Sequence, residues 1–410
     1  MARAPHRPAD PSTDAAALLR RLGFAVLMIG VPNAALLARR GTVLMVPIGV
    51  SLLALASLLD GGHRPLRVLF TRLAASSGCV ALVLGLVWIA VSLLWTPPGG
   101  QAVERSLSLG GTLAALAIGY LALPDRMRSA NLYLLPVGVA IAAVLALVLS
   151  AGWAGGRSDL DDDGGSLERG LTVLVLFAWP AIAWLRSRER DLEALTLAVL
   201  VATASVVIGA RTPLPIALGI GAIVFALASL WPSGTATALA FVMALLVATA
   251  PFAWLPLSSL AGASGSSAAL IDGLTAWRAV VTSDPLRLLT GHGFGTFQYG
   301  RITGLVPPGT PGSAPFQIWY DLGVVGALAV VAVLWSAPRA AVTSYAALSS
   351  GVAGAFGAGF ALALFGFGGG QMWLLTALGG LVLTFVASER GQFRTERPRA
   401  LVFRTAREPT

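Results

Sequence analysis

The sequence contains no lysine, so all 28 of its basic residues are arginine. It has one cysteine, Cys79, in an apolar run, which excludes a disulfide framework and a cysteine-built metal site. Cys79 reads as a small buried hydrophobe. Charge of either sign is scarce, at 11% of residues against 56% hydrophobic, and mean hydropathy is +0.80. That balance excludes an ordinary soluble globular domain. Only three histidines occur, His6, His63 and His292, so imidazole chemistry has few places to reside.

What is present is a succession of apolar stretches, each near the ~20 residues that cross ~30 Å of hydrocarbon. Bounded by charge, proline or glycine, they lie near 22–38, 43–59, 75–95, 107–123, 131–153, 170–185, 192–209, 212–230, 235–256, 316–336, 341–365 and 371–387. The expectation is an all-α polytopic membrane protein with about 12 transmembrane helices and a large external loop between helices 9 and 10. A polar N-terminal tail (1–21) precedes one transmembrane domain (22–387), which includes the loop 257–315, and an arginine-rich tail (388–410) follows. The start of the chain has the pattern of a signal peptide, and the many later spans favour a retained signal anchor.

Arginine placement sets the expected orientation. With the N-terminus in the cytoplasm, 19 of the 28 arginines fall on inside segments and nine outside: Arg39, Arg40, Arg105, Arg157, Arg169, Arg211, Arg278, Arg287 and Arg301. Both termini are then cytoplasmic, with Arg39 and Arg40 the poorest fits. The net charge of +9 is accounted for by attraction to an anionic inner membrane surface, and no nucleic-acid partner is needed.

The interval 257–315 is too long for a simple connection. Within it Leu270, Leu274, Trp277 and Val281 recur at helical spacing, with Asp272, Thr275 and Thr282 on the opposite face. This predicts an amphipathic helix lying on the membrane surface, capped by Ser267 and stopped by Asp284-Pro285. Gly291-His292-Gly293-Phe294-Gly295 follows, a turn whose glycines let backbone approach a ligand. It reads equally as a flexible loop tip. His292 is the only histidine on the expected outer face and therefore the only imidazole base available there. Arg211, in GARTP at a span end, is either a snorkelling helix-end arginine or one of a group with Arg278, Arg287 and Arg301 that grips phosphate through guanidinium forks. The acidic run Asp159–Gly164 imitates the start of a calcium loop, but the twelfth position is Gly170 where glutamate is required, so a solvated loop is expected and no metal.

SLLWTPPGGQAVERSLSL (92–109), LERGLTVLVLFAWP (167–180), GARTPLPIAL (209–218), AWRAVVTSDPLRLLTGHGFGTF (276–297) and APFQIWYDLGVVGAL (314–328) occur in an order and spacing that resemble the O-antigen ligase and O-antigen polymerase superfamily. The likeness extends to the helix count and the loop between the ninth and tenth spans. It implies a bacterial inner-membrane glycosyltransferase, its active site facing the periplasm. Such an enzyme moves a glycan from undecaprenyl diphosphate to a lipid A core or a second carrier-linked glycan, without nucleotide sugar, metal or other cofactor. By this resemblance arginines hold the diphosphate, with Arg211 aligned to the arginine of the span-end motif, and a histidine deprotonates the acceptor hydroxyl.

Two positions depart from the pattern. The segment before QIWYDLG opens with Gly312-Ser313 where relatives have His-Asn, and Gly273 stands four residues before Trp277 where relatives often have arginine. His292 is then the expected base, with Asp272, Asp284 or Asp321 as alternatives, and Gly291, Gly293, Gly295 and Gln317 as supporting positions. Two other classes remain open. A non-catalytic membrane subunit of a polysaccharide assembly system would explain the missing His-Asn pair. A secondary transporter would explain the span count, although no half-to-half repeat is evident.

Overall fold

The computed structural model describes residues 11–61, 76–97, 99–125, 127, 129–151, 165–255, 268–365 and 371–392. His6, His63, the acidic run from Asp159, the capping position Ser267 and most tail arginines lie outside them.

Among the described residues there is no strand, and every apolar stretch is carried by helix. In order these are α1 (Pro11–Ala25), which passes through a π-helical turn (Val26–Gly30) into α2 (Val31–Leu37), then α3 (Gly41–Leu59), α4 (Ser77–Ser92), α5 (Gly99–Ala122), α6 (Ser129–Leu132), α7 (Leu134–Ser150), α8 (Gly165–Ser187), α9 (Asp191–Gly209), α10 (Leu214–Leu230) and α11 (Pro232–Thr249). Three shorter elements follow, α12 (Ala268–Ser283), α13 (Arg287–Thr290) and α14 (Thr296–Thr303). The last described helices are α15 (Ala314–Ser344), α16 (Ser349–Phe365) and α17 (Met372–Arg390). Among the described residues, eight helical stretches are long and apolar enough to cross a membrane: those built on α1–α2, α3, α8, α9, α11, α15, α16 and α17. The apolar helices α4, α7 and α10 are shorter.

The bundle is organised on α8. Its run GLTVLVLFAWPAIAWL has no polar face, and every residue from Gly170 to Leu185 is buried. A helix that is apolar all round has no solvent side to present and takes the centre of a bundle. Helices α2, α7, α9, α10, α16 and α17 pack around it. Apolar burial of ~25 cal/mol per Å² cannot drive this packing inside lipid, so close contact of side chains carries it.

Three boundaries differ from the sequence expectation. Helix starts at Pro11, inside the stretch expected to be a polar tail; its first turns are polar but form the foot of a continuous rod. Residues Gly99–Ser106, expected in a loop, form the first turns of α5. Helix α15 runs past Arg339 to Ser344, and the chain turns only at Tyr345–Leu348.

The interval between α11 and α15 has a core of its own. Trp277, Val281, Phe297, Val306 and Tyr320 bury one another, with Trp254, Phe316 and Trp319 at the edge. Helix α12 has the expected faces and the expected end: Leu274, Trp277 and Val281 are buried, while Asp272, Thr275 and Thr282 are exposed. Trp277 and Val281 of its apolar stripe belong to this core. Two indole bonds tie this core to the bundle: Trp277 Nε1 donates to Ala250 O (3.1 Å), and Trp319 Nε1 donates to Val247 O (2.7 Å).

Candidate functional site

The site is built where α15 breaks. Gly323 has φ 62° and ψ −158°, a conformation open to glycine, and a Cβ there would stand 2.6 Å from Gly291 N. The break releases carbonyls that a continuous helix would satisfy internally. Tyr320 O accepts His292 N–H (2.9 Å), Asp321 O accepts Gly293 N–H (2.9 Å), and Leu322 O accepts Trp88 Nε1–H (2.9 Å). The GHGFG turn and an indole from α4 therefore complete the broken helix.

The turn is held equally closely on its other side. Gly293 has φ 109°, and a Cβ on it would collide with the Thr96 hydroxyl. Asp321 lies beneath: its Oδ2 accepts Gly295 N–H (3.0 Å) and its Oδ1 accepts Phe297 N–H (2.7 Å). A carboxylate at this position caps the amino end of α14. The Thr296 hydroxyl is 2.7 Å from Gly293 O and 3.2 Å from Asp321 Oδ1. Arg105 of α5 reaches across to donate from Nη1 to Gly295 O (2.9 Å).

This frame fixes His292. Its ring lies flat on Tyr320, with centroids 4.0 Å apart and planes 5° from parallel. Its Nδ1 is 3.1 Å from Tyr320 O. A carbonyl oxygen only accepts, so Nδ1 carries the proton and Nε2 keeps its lone pair. Burial pushes the imidazole pKa below its ordinary 6.5; the Tyr320 carbonyl opposes the shift, and Arg287 adds to it. The ring is thus a neutral base near pH 7, with Nε2 taking no hydrogen bond from the described residues.

Two clefts flank the ring, and both are bordered by Arg287, His292 and Tyr320. One, against Trp277 and Trp319, is about 10 Å³, room for a single water. The other, against Trp95, Pro97, Tyr299 and Leu305, is about 130 Å³. A third cavity, about 420 Å³ and walled by apolar side chains of α11, α15, α16 and α17, lies within the bundle and includes none of these residues.

Of the expected arginines, Arg287 alone is among the residues that border the two clefts. Arg287 borders both clefts and lies 3.7 Å from Asp284. Arg278 is stacked over the Trp254 ring at 4.8 Å. Arg301 places Nη1 2.9 Å from where a Cβ on Gly312 would stand. Arg211 is exposed in the turn between α9 and α10, and neither cleft includes it. Gly291, Gly293 and Gly295 all have positive φ and shape the turn. Gln317 is buried and donates from Nε2 to Gly312 O (2.8 Å), a tie that closes the approach to α15. Asp272 is exposed, and Asp321 is engaged as a cap.

Sequence reading did not single out Trp95, Thr96, Arg105, Tyr299 or Tyr320. Trp95, Thr96 and Arg105 lie in SLLWTPPGGQAVERSLSL, where polar side chains at a span end were the available signal. The two positions that depart from the resemblance are close in space: a Cβ on Gly273 would stand 3.0 Å from Gly309 O and 3.7 Å from Pro311 Cγ, within the Gly309–Gly312 segment. No family model matches this chain, and neither curated proteins nor solved structures give a match.

Proposed function

We propose that this chain is a glycosyltransferase of the inner membrane that moves a glycan from undecaprenyl diphosphate to a periplasmic acceptor, with His292 as the base. The observation that carries the reading is the His292 ring, held with Nε2 unprotonated beside a cleft of about 130 Å³ that Arg287 borders. In this reading all twelve helical spans cross the membrane, both termini are cytoplasmic, and the interval between α11 and α15 faces the periplasm.

The acceptor hydroxyl gives its proton to His292 Nε2 as its oxygen bonds the anomeric carbon of the donor. The bond from that carbon to diphosphate breaks, and undecaprenyl diphosphate leaves with the electron pair. Base assistance of this kind contributes ~10²–10⁴-fold. Arg287 borders the cleft together with His292 and meets the charge that develops on the leaving group. Arg278, Arg301 and Arg211 line neither cleft and in this reading meet the rest of the carrier's headgroup or the membrane interface.

The direct test uses the full-length protein in nanodiscs with an undecaprenyl-diphosphate-linked glycan and a lipid or glycan acceptor. Wild type should release undecaprenyl diphosphate only when acceptor is present, and His292→Ala should release at least ~100-fold less. Acceptor-independent release, or none from wild type with either acceptor, refutes the proposal.

A second reading is favoured by one specific observation. The places where the resemblance expects arginine and His-Asn are filled by Gly273 and Gly312-Ser313, and Gly273 packs against the neighbouring Gly309 backbone. A chain that retains the fold but lacks those groups fits a non-catalytic subunit of a polysaccharide assembly system. It predicts that an inactive His292→Ala variant still supports glycan assembly in cells.

A further inference from the structure

We propose that the larger cleft beside His292 seats a single pyranose ring, the acceptor sugar whose hydroxyl is activated. This rests on the transfer reading above and adds which part of the substrate enters the protein. A water molecule needs about 10–15 Å³ of such space. The cleft's volume of about 130 Å³ is roughly ten times that of a water site, room for one hexopyranosyl unit with the rest of a glycan outside.

The walls fit the two kinds of surface that a pyranose presents. Trp95, Pro97, Tyr299 and Leu305 supply apolar and aromatic surface for the C–H faces of the ring. His292 Nε2 accepts a hydroxyl proton at the rim, and Arg287 donates to ring substituents there. Among the described residues no carboxylate borders this cleft, so a cationic ligand finds no counter-charge among them. A hydrocarbon chain would strip water from Arg287 and His292 with nothing in return. The neutral polar ring is the class that leaves the fewest groups unmatched.

The test is saturation-transfer NMR on the full-length protein in nanodiscs, with a panel of methyl pyranosides as probes and the acyclic polyol sorbitol as control. Leu305 is 70% exposed, so Leu305→Trp obstructs the cleft mouth without disturbing a core; Tyr299→Ala removes one wall. At least one pyranoside should show saturation of its ring protons with wild type. Both variants should lose that signal while keeping the wild-type trypsin pattern, and sorbitol should show none. Absence of signal from every pyranoside, or a signal unchanged in both folded variants, overturns the inference. If glycan release fails in His292→Ala while no pyranoside binds, the transfer reading stands and the pyranose seat falls. If a pyranoside binds but His292 is dispensable for release, the seat stands and the transfer reading falls.

Discussion

Helix α8 and the interval from α12 to the start of α15 solve one problem in opposite ways. Both must bury aromatic rings, Trp184 and Phe177 in the first, Trp277 and Phe297 in the second. In α8 the burial is diffuse: sixteen successive positions from Gly170 to Leu185 are covered by neighbouring helices. In the interval it depends on a few residues, and backbone polar groups left by the break at Gly323 are paired one by one with the GHGFG turn and the Trp88 indole. A bundle core can lose one contact and relax, whereas the turn depends on particular hydrogen bonds. Function is therefore expected to be most sensitive where the fold has least redundancy.

The contrast can be broken most forcefully with two tryptophans. Trp184→Ala and Trp277→Ala each remove a fully buried ring, a change worth about 3–5 kcal/mol. Trp184→Ala should lower the melting temperature of the whole bundle in nanodiscs. Trp277→Ala should leave that temperature near wild type and open residues 268–313 to trypsin. Equal effects of both on the global transition would show that the two cores are one.

Gly293→Ala comes next. Its φ of 109° and the collision with Thr96 should cost about 3 kcal/mol, read as a roughly hundredfold rise in trypsin cleavage within the same interval. Asp321→Asn is smaller. It keeps one acceptor for Gly295 N–H and Phe297 N–H and loses the other, at about 1–2 kcal/mol, and it should displace His292 more than it unfolds anything. Amide-exchange protection at Gly295 and Phe297 should fall in this variant while that of α8 holds.

The pH dependence is smaller again, and its sign follows from burial. Because His292 titrates below 6.5 when folded, the unfolded chain binds the proton first as pH falls. The contribution of His292 to the stability of the interval is constant above 6.5 and declines as pH drops below it, by at most ~1.4 kcal/mol per pH unit. His292→Gln should flatten that limb of the trypsin-resistance profile. Steeper acid loss in the variant would mean that another group controls it.

Much of this contrast was legible in the sequence. Hydropathy locates every apolar helix because lipid and bundle interior select the same side chains. The helix ending at Ser283 followed from its apolar spacing and from Asp284-Pro285. Polar helix is what escaped: the foot of α1 and the opening of α5 have no apolar periodicity, and their helicity comes from continuing an adjoining span. At the site, His292 could be found by elimination among three histidines. The break at Gly323 could not, because it exists only in combination with a turn about thirty residues away that supplies the missing donors. Arg105 and Trp95 belong to another part of the chain altogether, and only tertiary packing brings them beside the turn.

The most direct measurement is the length profile of surface glycans in a deletion strain complemented with wild type or His292→Ala, with both proteins present in the membrane at equal levels. The account predicts that the deletion removes or shortens a lipopolysaccharide or exopolysaccharide, that wild type restores it, and that His292→Ala does not. A wild-type glycan profile from the folded His292→Ala protein would contradict it.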